Sequence, residues 1–487
     1  MLIKSVYIII YIEKKIKFSF LNILFFLIKI SKVVIYLSKR FSELEIRVIA
    51  NSLIGKTFGE INYNKLKSFE YDKGTFGHII ENDGYDYNIN SFSEPDFIDA
   101  GIELKVTPYK INKNGTLSAK ERLVLNIINY MEEVNYDFYT SHFWYKNKKI
   151  EILWYLYEKN KEKNELKITN ELLFEFPKED LKIIEDDWNF IINKIRNGKA
   201  HELSEADTMY LGACTKGVNS NSLRKQPFSN IMAKQRAFCL KTSYMTQLVR
   251  KYIGHEYSNE SFLNSLSMEK YVENITKKYR GMSVEDLCIA FNIKSKPKNI
   301  NGILVSRMFG IKGNLANTDE FLKANIVPRT IRVEENGKVK ESFPLPAFKY
   351  NEFINQTWDK SKLKEVLETT KFMFFVFKNV NDHYVFYKIK LWNMPNHDIE
   401  NHVKYIWLKT QECVVSGKIV KKIEKNGKRI TNFPGISSNN ICHVRPHARN
   451  TNDTYPLPVR DKVSGLTEYM KHCFWLNNKY IEQILKD

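Results

Sequence analysis

Segments in the first half of this chain return in the second half in the same order, which limits what the whole can fold into. GKTFGEI from Gly55 returns as GMSVEDL from Gly281, KGTFGHIIE from Lys73 as NGILVSRMF from Asn301, and DFIDAGIELKVT from Asp96 as EFLKANIVPRTI from Glu320. CTKGVN from Cys214 stands opposite RPHARN from Arg445, and AFCLKTSYMTQL from Ala237 opposite CFWLNNKYIEQI from Cys473. Each match is weak alone, because a low-diversity composition produces such matches by chance. All of them in one order point to a duplicated domain. The boundaries read as a leader at 1–40, a first copy at 41–255, a linker and start of the repeat over 256–300, and a second copy at 270–487. Short amphipathic helices and alternating strands, broken by turns such as Asn112-Lys113-Asn114-Gly115, make the class mixed α/β, of the α+β kind.

The charge says what such a chain meets. Against 56 Asp and Glu stand 75 Lys and Arg, a net charge of +19 over 487 residues. That excess suits a polyanion, nucleic acid first and an anionic membrane surface second. The six cysteines form no CxxC pair and no His-flanked spacing, so they read as reduced thiols of a cytoplasmic protein, and a zinc finger is excluded. The leader is apolar and Lys-rich, with Glu13 its single acid. Its longer run, Phe18 to Leu37, has the ~20-residue length of a membrane span but is interrupted by Asn22, Lys29 and Lys32. It reads as translated upstream sequence, with the true start near Tyr36, and no stable membrane partner is expected.

The chemistry concentrates around Gly101–Val106. Ile102, Leu104 and Val106 alternate with Glu103, Lys105 and Thr107, which predicts a strand with Glu103 and Lys105 on one face, about 6–7 Å apart at the backbone. Pro95-Asp96 precedes Glu103 by enough residues for a tight turn to return Asp96 beside it. Glu81 ends KGTFGHIIE, whose Gly74, Phe76, Ile79 and Ile80 predict a short inward-packing helix that presents its last acid near the strand. Phosphodiester hydrolysis needs this equipment: hard oxygen ligands to hold Mg²⁺ against phosphate, and a group to position or deprotonate water. Glu81, Asp96 and Glu103 are the expected metal ligands, and Lys105 orients the nucleophile or stabilises developing negative charge. Taken alone, PD followed by ExK is as readily a salt-bridged strand face. The second copy sharpens the choice. Phe309 stands for Glu81, Val327 for Glu103 and Arg329 for Lys105, with Glu320 the only acid kept, in the place of Asp96. A frame kept while a ligand set is lost describes an inactive copy beside an active one.

Arg445-Pro446-His447 with Arg449 reads as a basic loop suited to a DNA groove, since Arg bonds guanine O6 and N7 as a pair. The matching stretch of the first copy is Cys214-Thr215-Lys216 with Asn219, Arg224 and Lys225, where base contact, phosphate positioning and a solvated basic surface all stay open. Tyr244 and Tyr480, Phe238 and Phe474, and Leu248 and Ile484 recur at helical spacing and are expected in the core.

KGTFGHIIE, PDFIDAGIELKVTP, AKERLVLNIINY, GKAHELSEADTMYLGACTKG, KQRAFCLKTSYMTQLVRKY, ICHVRPH and FWLNNKYI together resemble the GATC-specific, MutH-like type II restriction endonucleases of the Sau-three-A-I kind, from about Tyr36 onward. The resemblance implies a MutH-like nuclease fold in both halves, a Mg²⁺-dependent active half, and a C-terminal half that binds a second GATC and stimulates cleavage. It places Glu81, Asp96, Glu103 and Lys105 in the active site and adds Lys120, in the KERLVL stretch. The nicking relatives carry Arg-Pro-Lys in the reading loop and Phe-Tyr-Leu-Lys downstream; Cys214-Thr215-Lys216 and Cys239 stand there in this chain, which puts the guanine contact of the first copy in question.

The expectation is therefore an enzyme that cleaves double-stranded DNA at GATC with Mg²⁺, its second copy an effector domain that binds another GATC, with a dimer induced by DNA as a further expectation. The competing reading is a non-cleaving, sequence-specific DNA-binding protein, a decayed restriction enzyme.

Overall fold

A computed structural model describes residues 40–62, 74–87, 94–217, 222–256, 260–263, 266–295 and 297–486. The leader up to residue 39 and Asn219 lie outside the described residues. The chain forms two compact units, one comprising the described residues up to Pro108 with Trp144–Glu175, the other Tyr109–Phe143 with everything from Phe176 onward.

In the first unit, strands β1 (Glu103–Ile111), β4 (Lys149–Leu156) and β5 (Ile168–Glu175) lie in the order β1-β4-β5. Strand β1 continues into the second unit, where Tyr109–Ile111 pair antiparallel with β2 (Leu117–Ala119). The helix Glu43–Leu53, started by a Ser42 capping box, buries Ile46, Ala50 and Leu53. These join Phe58, Ile79, Ile80, Phe97, Ile102, Leu104 and Leu153 in one core. The predicted inward faces of β1 and of the KGTFGHIIE segment are both part of it.

The second unit holds β3 (Leu123–Ile127), β6 (Leu211–Thr215) and β9 (Arg236–Leu240) in the order β3-β9-β6, beside a hairpin of β7 (Leu223–Gln226) and β8 (Ser229–Lys234). It also holds β10 (Ile326–Val333), β12 (Lys371–Val380) and β13 (His383–Trp392), ordered β10-β12-β13, and β11 (Phe343–Phe348), β16 (Cys442–Pro446) and β19 (His472–Leu476), ordered β11-β19-β16. Two small hairpins, β14–β15 (Val420–Ile423, Arg429–Thr431) and β17–β18 (Thr454–Pro456, Glu468–Met470), complete the strands. The mixed α/β class expected from the sequence is the one observed.

The same connections occur twice. β1-β4-β5 has the order of β10-β12-β13, and β3-β9-β6 that of β11-β19-β16. Gly55 and Gly281 both take φ 88° and donate to Ile168 O and Phe386 O at 2.8 Å. Thr57 and Ser283 each follow with a capping box. Cys214 pairs with Ala237 across β6–β9, as Arg445 pairs with Cys473 across β16–β19. Tyr244, Phe238, Leu248, Tyr480, Phe474 and Ile484 are buried, as their spacing predicts.

Within the second unit the two halves of the chain meet through charge. The helix Lys178–Arg196 packs Ile184, Trp188, Ile191, Ile192 and Ile195 inward at helical spacing and buries Asp180 near its start. Lys323 Nζ, on the helix Asp319–Ala324, sits 2.8 and 2.9 Å from the two Asp180 oxygens, and Tyr244 OH donates to Asp180 at 2.9 Å. Removing one member of such a buried pair strands the other charge, at a cost of about 3–5 kcal/mol. Lys323→Ala is expected to lower unfolding stability by about that amount in urea titrations, and Asp180→Asn combined with it to recover part of the loss.

A second buried acid gives a pH prediction. Glu151 on β4 is 0% exposed, and neither of its oxygens nor Glu171 Oε2 has a partner when both groups are carboxylates. Burial first, and the Glu171 carboxylate second, push the Glu151 pKa up from 4.5 to about 8. The folded state thus holds a proton that the unfolded chain releases. Its contribution to stability is complete below pH 4.5 and is lost as the pH rises through about 8. Thermal midpoints measured across that window are expected to fall with pH, and Glu151→Gln to flatten the slope.

Candidate active site

A six-residue turn builds the site. Phe97 N donates to Ile102 O at 2.9 Å and Ile102 N to Phe97 O at 3.2 Å. Gly101, at φ 65°, supplies the left-handed corner that closes this turn, a conformation costing other residues about 1–2 kcal/mol. The exchange sets Asp96 beside β1, as the spacing predicted: Asp96 N donates to Glu103 Oε2 at 3.1 Å, and Leu104 N to Asp96 Oδ2 at 2.9 Å.

Lys105 Nζ binds Glu103 Oε1, so the two polar residues of the strand do share a face. Glu103 is 1% exposed, and burial raises its pKa, opposed by Lys105. Burial works against the Lys105 ammonium, but the Glu103 and Asp96 carboxylates outweigh it and hold its pKa above the usual value. Glu81 lies in a π-helical turn, Ile80–Gly84, that follows the helix Thr75–Ile79. Burial, then the negative charge of Asp96, lifts its pKa to about 7. Turns of this kind are uncommon and recur at functional sites.

The sequence reading missed one cation. Lys146, on the helix His142–Asn147, places Nζ 3.4 Å from Glu103 Oε2 and donates to Glu94 O at 2.9 Å. Its only sequence signal is the basic run Lys146-Asn147-Lys148-Lys149, and spacing does not say which lysine of that run turns inward. Lys120, which the resemblance added, follows β2 in the other compact unit.

The remaining candidates all lie in the second unit. Lys216 follows β6, its side chain exposed and its backbone N–H on Gln235 O at 2.9 Å. Arg224 is exposed on β7 and donates to Gln235 Oε1 at 3.1 Å. Arg445 and Pro446 end strand β16 and do not form the expected loop, because both pair with β19. The Arg445 guanidinium lies 4.4 Å from the centroid of the Trp475 ring, and the His447 ring 5.6 Å from it. The Arg449 N–H caps Asp453 at 3.1 Å. In the second half, Phe309 packs among Phe262, Tyr271, Phe321 and Phe375. Glu320 Oε1 there accepts from Ser261 Oγ and from the Phe262 and Leu263 N–H groups.

Burial and neighbouring carboxylates raise the pKa values of Glu81 and Glu103, a strain that a divalent cation relieves. Carboxylate oxygens are the hard donors such an ion prefers. A strand-borne Glu103 bound by two lysines, with Asp96 from the turn beside it, is equipment that suits a metal-dependent nuclease, which hydrolyses a phosphodiester with the help of a divalent ion. The model of the family "DNA mismatch repair enzyme MutH" matches residues 85–187. Type II restriction enzyme Sau3AI of Staphylococcus aureus is 38% identical over 477 residues, 90% of this chain and 97% of that protein. DNA mismatch repair protein MutH of Shewanella sp. (strain W3-18-1) is 25% identical over 214 residues, 42% of this chain and 93% of that protein. The corresponding protein of Vibrio parahaemolyticus is 26% identical over 222 residues, 43% of this chain and 94% of its own length.

The chain belongs to the family of type II restriction enzyme Sau3AI, and it is a deoxyribonuclease with a MutH-like nuclease domain. Gly101→Ala is expected to cost about 1–2 kcal/mol in thermal unfolding. By shifting Asp96 it should also slow DNA cleavage by up to about 100-fold in a single-turnover assay.

Proposed function

We propose that the enzyme cuts double-stranded DNA at GATC, with Glu81, Asp96 and Glu103 as ligands of Mg²⁺. The observation that carries this reading is the assembly of Asp96, Glu103, Lys105 and Lys146 in one cluster around the buried Glu103 carboxylate. When bound, Mg²⁺ supplies positive charge against the scissile phosphate. Lys105, held on Glu103, orients the attacking water and stabilises charge developing on the phosphate oxygens. The water oxygen bonds to phosphorus as the P–O3′ bond breaks, leaving a 5′-phosphate and a 3′-hydroxyl. Lys146 takes the role that the resemblance gave to Lys120, because Lys146 touches the Glu103 carboxylate.

The two halves are copies of one domain, a reading supported by their matching strand orders and registers. The second copy acts as effector by binding another GATC duplex through Arg445, His447 and Arg449. Arg445 is exposed, and Trp475 beneath it fixes the guanidinium plane that pairs with guanine. Lys216 and Arg224, both exposed, contact the backbone of bound DNA. Phe309, Val327 and Arg329 in the positions of Glu81, Glu103 and Lys105 leave this copy without a ligand set.

The test is incubation of the enzyme with Mg²⁺ and a plasmid carrying several GATC sites, with EDTA alongside and the product ends sequenced. Double-strand ends at GATC, absent in EDTA, are expected. Glu103→Ala should abolish cleavage with specific binding kept, and Lys146→Ala should slow the chemical step more than Lys120→Ala. Arg445→Ala should lose about 1–3 kcal/mol of affinity for an added GATC duplex and, with it, the stimulation that duplex gives. Specific binding without any cut would point to the non-cleaving alternative.

A further inference from the structure

The second half carries a cluster that the nuclease reading does not use. His397, Asp398 and His402 present ligand atoms that all lie within 4.8 Å of one another. The His397 Nδ1 and Asp398 Oδ1 atoms are 3.3 Å apart, and the two imidazole rings are 5.7 Å apart between centroids.

The backbone explains why they meet. Residues five apart on an α-helix point about 140° away from each other. Here a short helix, Asn396–Asp398, runs into a π-helical turn, Ile399–Val403, in which the Lys404 N–H reaches back to Ile399 O. A π turn bonds residues five apart and so stacks them on one side of the helix. The corresponding helix of the first half, Lys178–Arg196, is α throughout. Both helices start after a proline, Pro177 and Pro395, and both give an aspartate to a tyrosine of the terminal helix: Asp180 accepts from Tyr244 OH at 2.9 Å, Asp398 from Tyr480 OH at 2.5 Å. The Asp–Tyr bond is thus part of the shared frame. The histidines and the π turn that gathers them belong to the second half alone.

We propose that His397, Asp398 and His402 form a binding site for a borderline divalent transition ion of the Zn²⁺ kind. Two imidazoles and one carboxylate suit such an ion and suit Mg²⁺ poorly. Ligand atoms around tetrahedral zinc stand about 3.3–3.4 Å apart, given metal–ligand distances near 2.0–2.1 Å, so modest rotation of the exposed His397 and half-buried His402 rings closes the 4.8 Å spread. Tyr480 holds the other Asp398 oxygen, the outer-sphere hydrogen bond that orients a ligating carboxylate, and Asn439 Nδ2 binds His402 O at 3.2 Å. A bound ion would fasten the π turn to the helix Asn478–Lys486 through Asp398 and Tyr480.

The test uses the full chain carrying Asp96→Asn and Glu103→Gln, so that the carboxylates of the nuclease site do not contribute. Zn²⁺ titration by calorimetry is expected to give one equivalent, and Co²⁺ the visible absorption of a site with fewer than six ligands. His402→Ala should abolish both, and Tyr480→Phe should weaken Zn²⁺ binding about 10- to 100-fold. Zn²⁺ should raise the thermal midpoint of the parent chain and leave that of the His402→Ala chain unchanged, with Asn401→Ala as a control for folding. Equal Zn²⁺ affinity in the parent and His402→Ala chains, or a Co²⁺ spectrum that stays octahedral, would overturn the proposal.

Discussion

The paired backbone hydrogen bonds between Phe97 and Ile102 are the constraint on which the candidate site depends. They put the Asp96 and Glu103 carboxylates side by side, an arrangement whose electrostatic repulsion the chain must sustain before any cation arrives. The turn holds because it is anchored at both ends: Phe97, Ile102 and Leu104 are buried in the same core as the helix Glu43–Leu53 and the segment ahead of Glu81. The apolar side of β1 therefore supplies the rigidity, and the polar side exploits it. Lys105 and Lys146 then approach Glu103 from the strand itself and from a helix more than 40 positions along, so the acid is gripped by two independent elements.

The second half shows what the frame does without that chemistry. Its strands keep the order of the first half, but aromatic packing around Phe309 occupies the place of one acid, and a second acid, Glu320, is committed to the Ser261–Leu263 backbone. Burial that in the first half raises carboxylate pKa values is here satisfied by rings. The buried Asp180–Lys323 pair joins this half to the C-terminal part of the first, and a buried pair of that kind fixes geometry more than it adds stability.

Asp96, Glu103 and Lys105 were legible because their arrangement is local: a tight turn and a period of two are enough to bring them together. Glu81 was legible as the end of an apolar helical segment, although the π turn that holds it was not. Lys146 was not legible, since its approach to Glu103 depends on how a separate helix enters the unit. Arg445 was read as part of a loop because proline and charge mark loops. It lies at the end of a strand because the exposed Arg445-Pro446 pair still completes the ladder with Cys473 and His472. The two halves share their strand orders, as a repeat would require, whereas the ion pair between the halves left no local trace.

The second half differs from the candidate site by more than two side chains. Val327 and Arg329 occupy the strand positions of Glu103 and Lys105, yet restoring those residues would place a carboxylate where Val327 now packs against the core that contains Phe372 and Phe374. A charge there would be half-buried, and Glu320 already accepts two backbone N–H groups and a hydroxyl. Val327 and the Phe309 ring are both taken into the packing of the second half. Arg329, by contrast, remains exposed and stacks over the Phe343 ring at 5.0 Å, so this strand presents a cation with no carboxylate at the Val327 position.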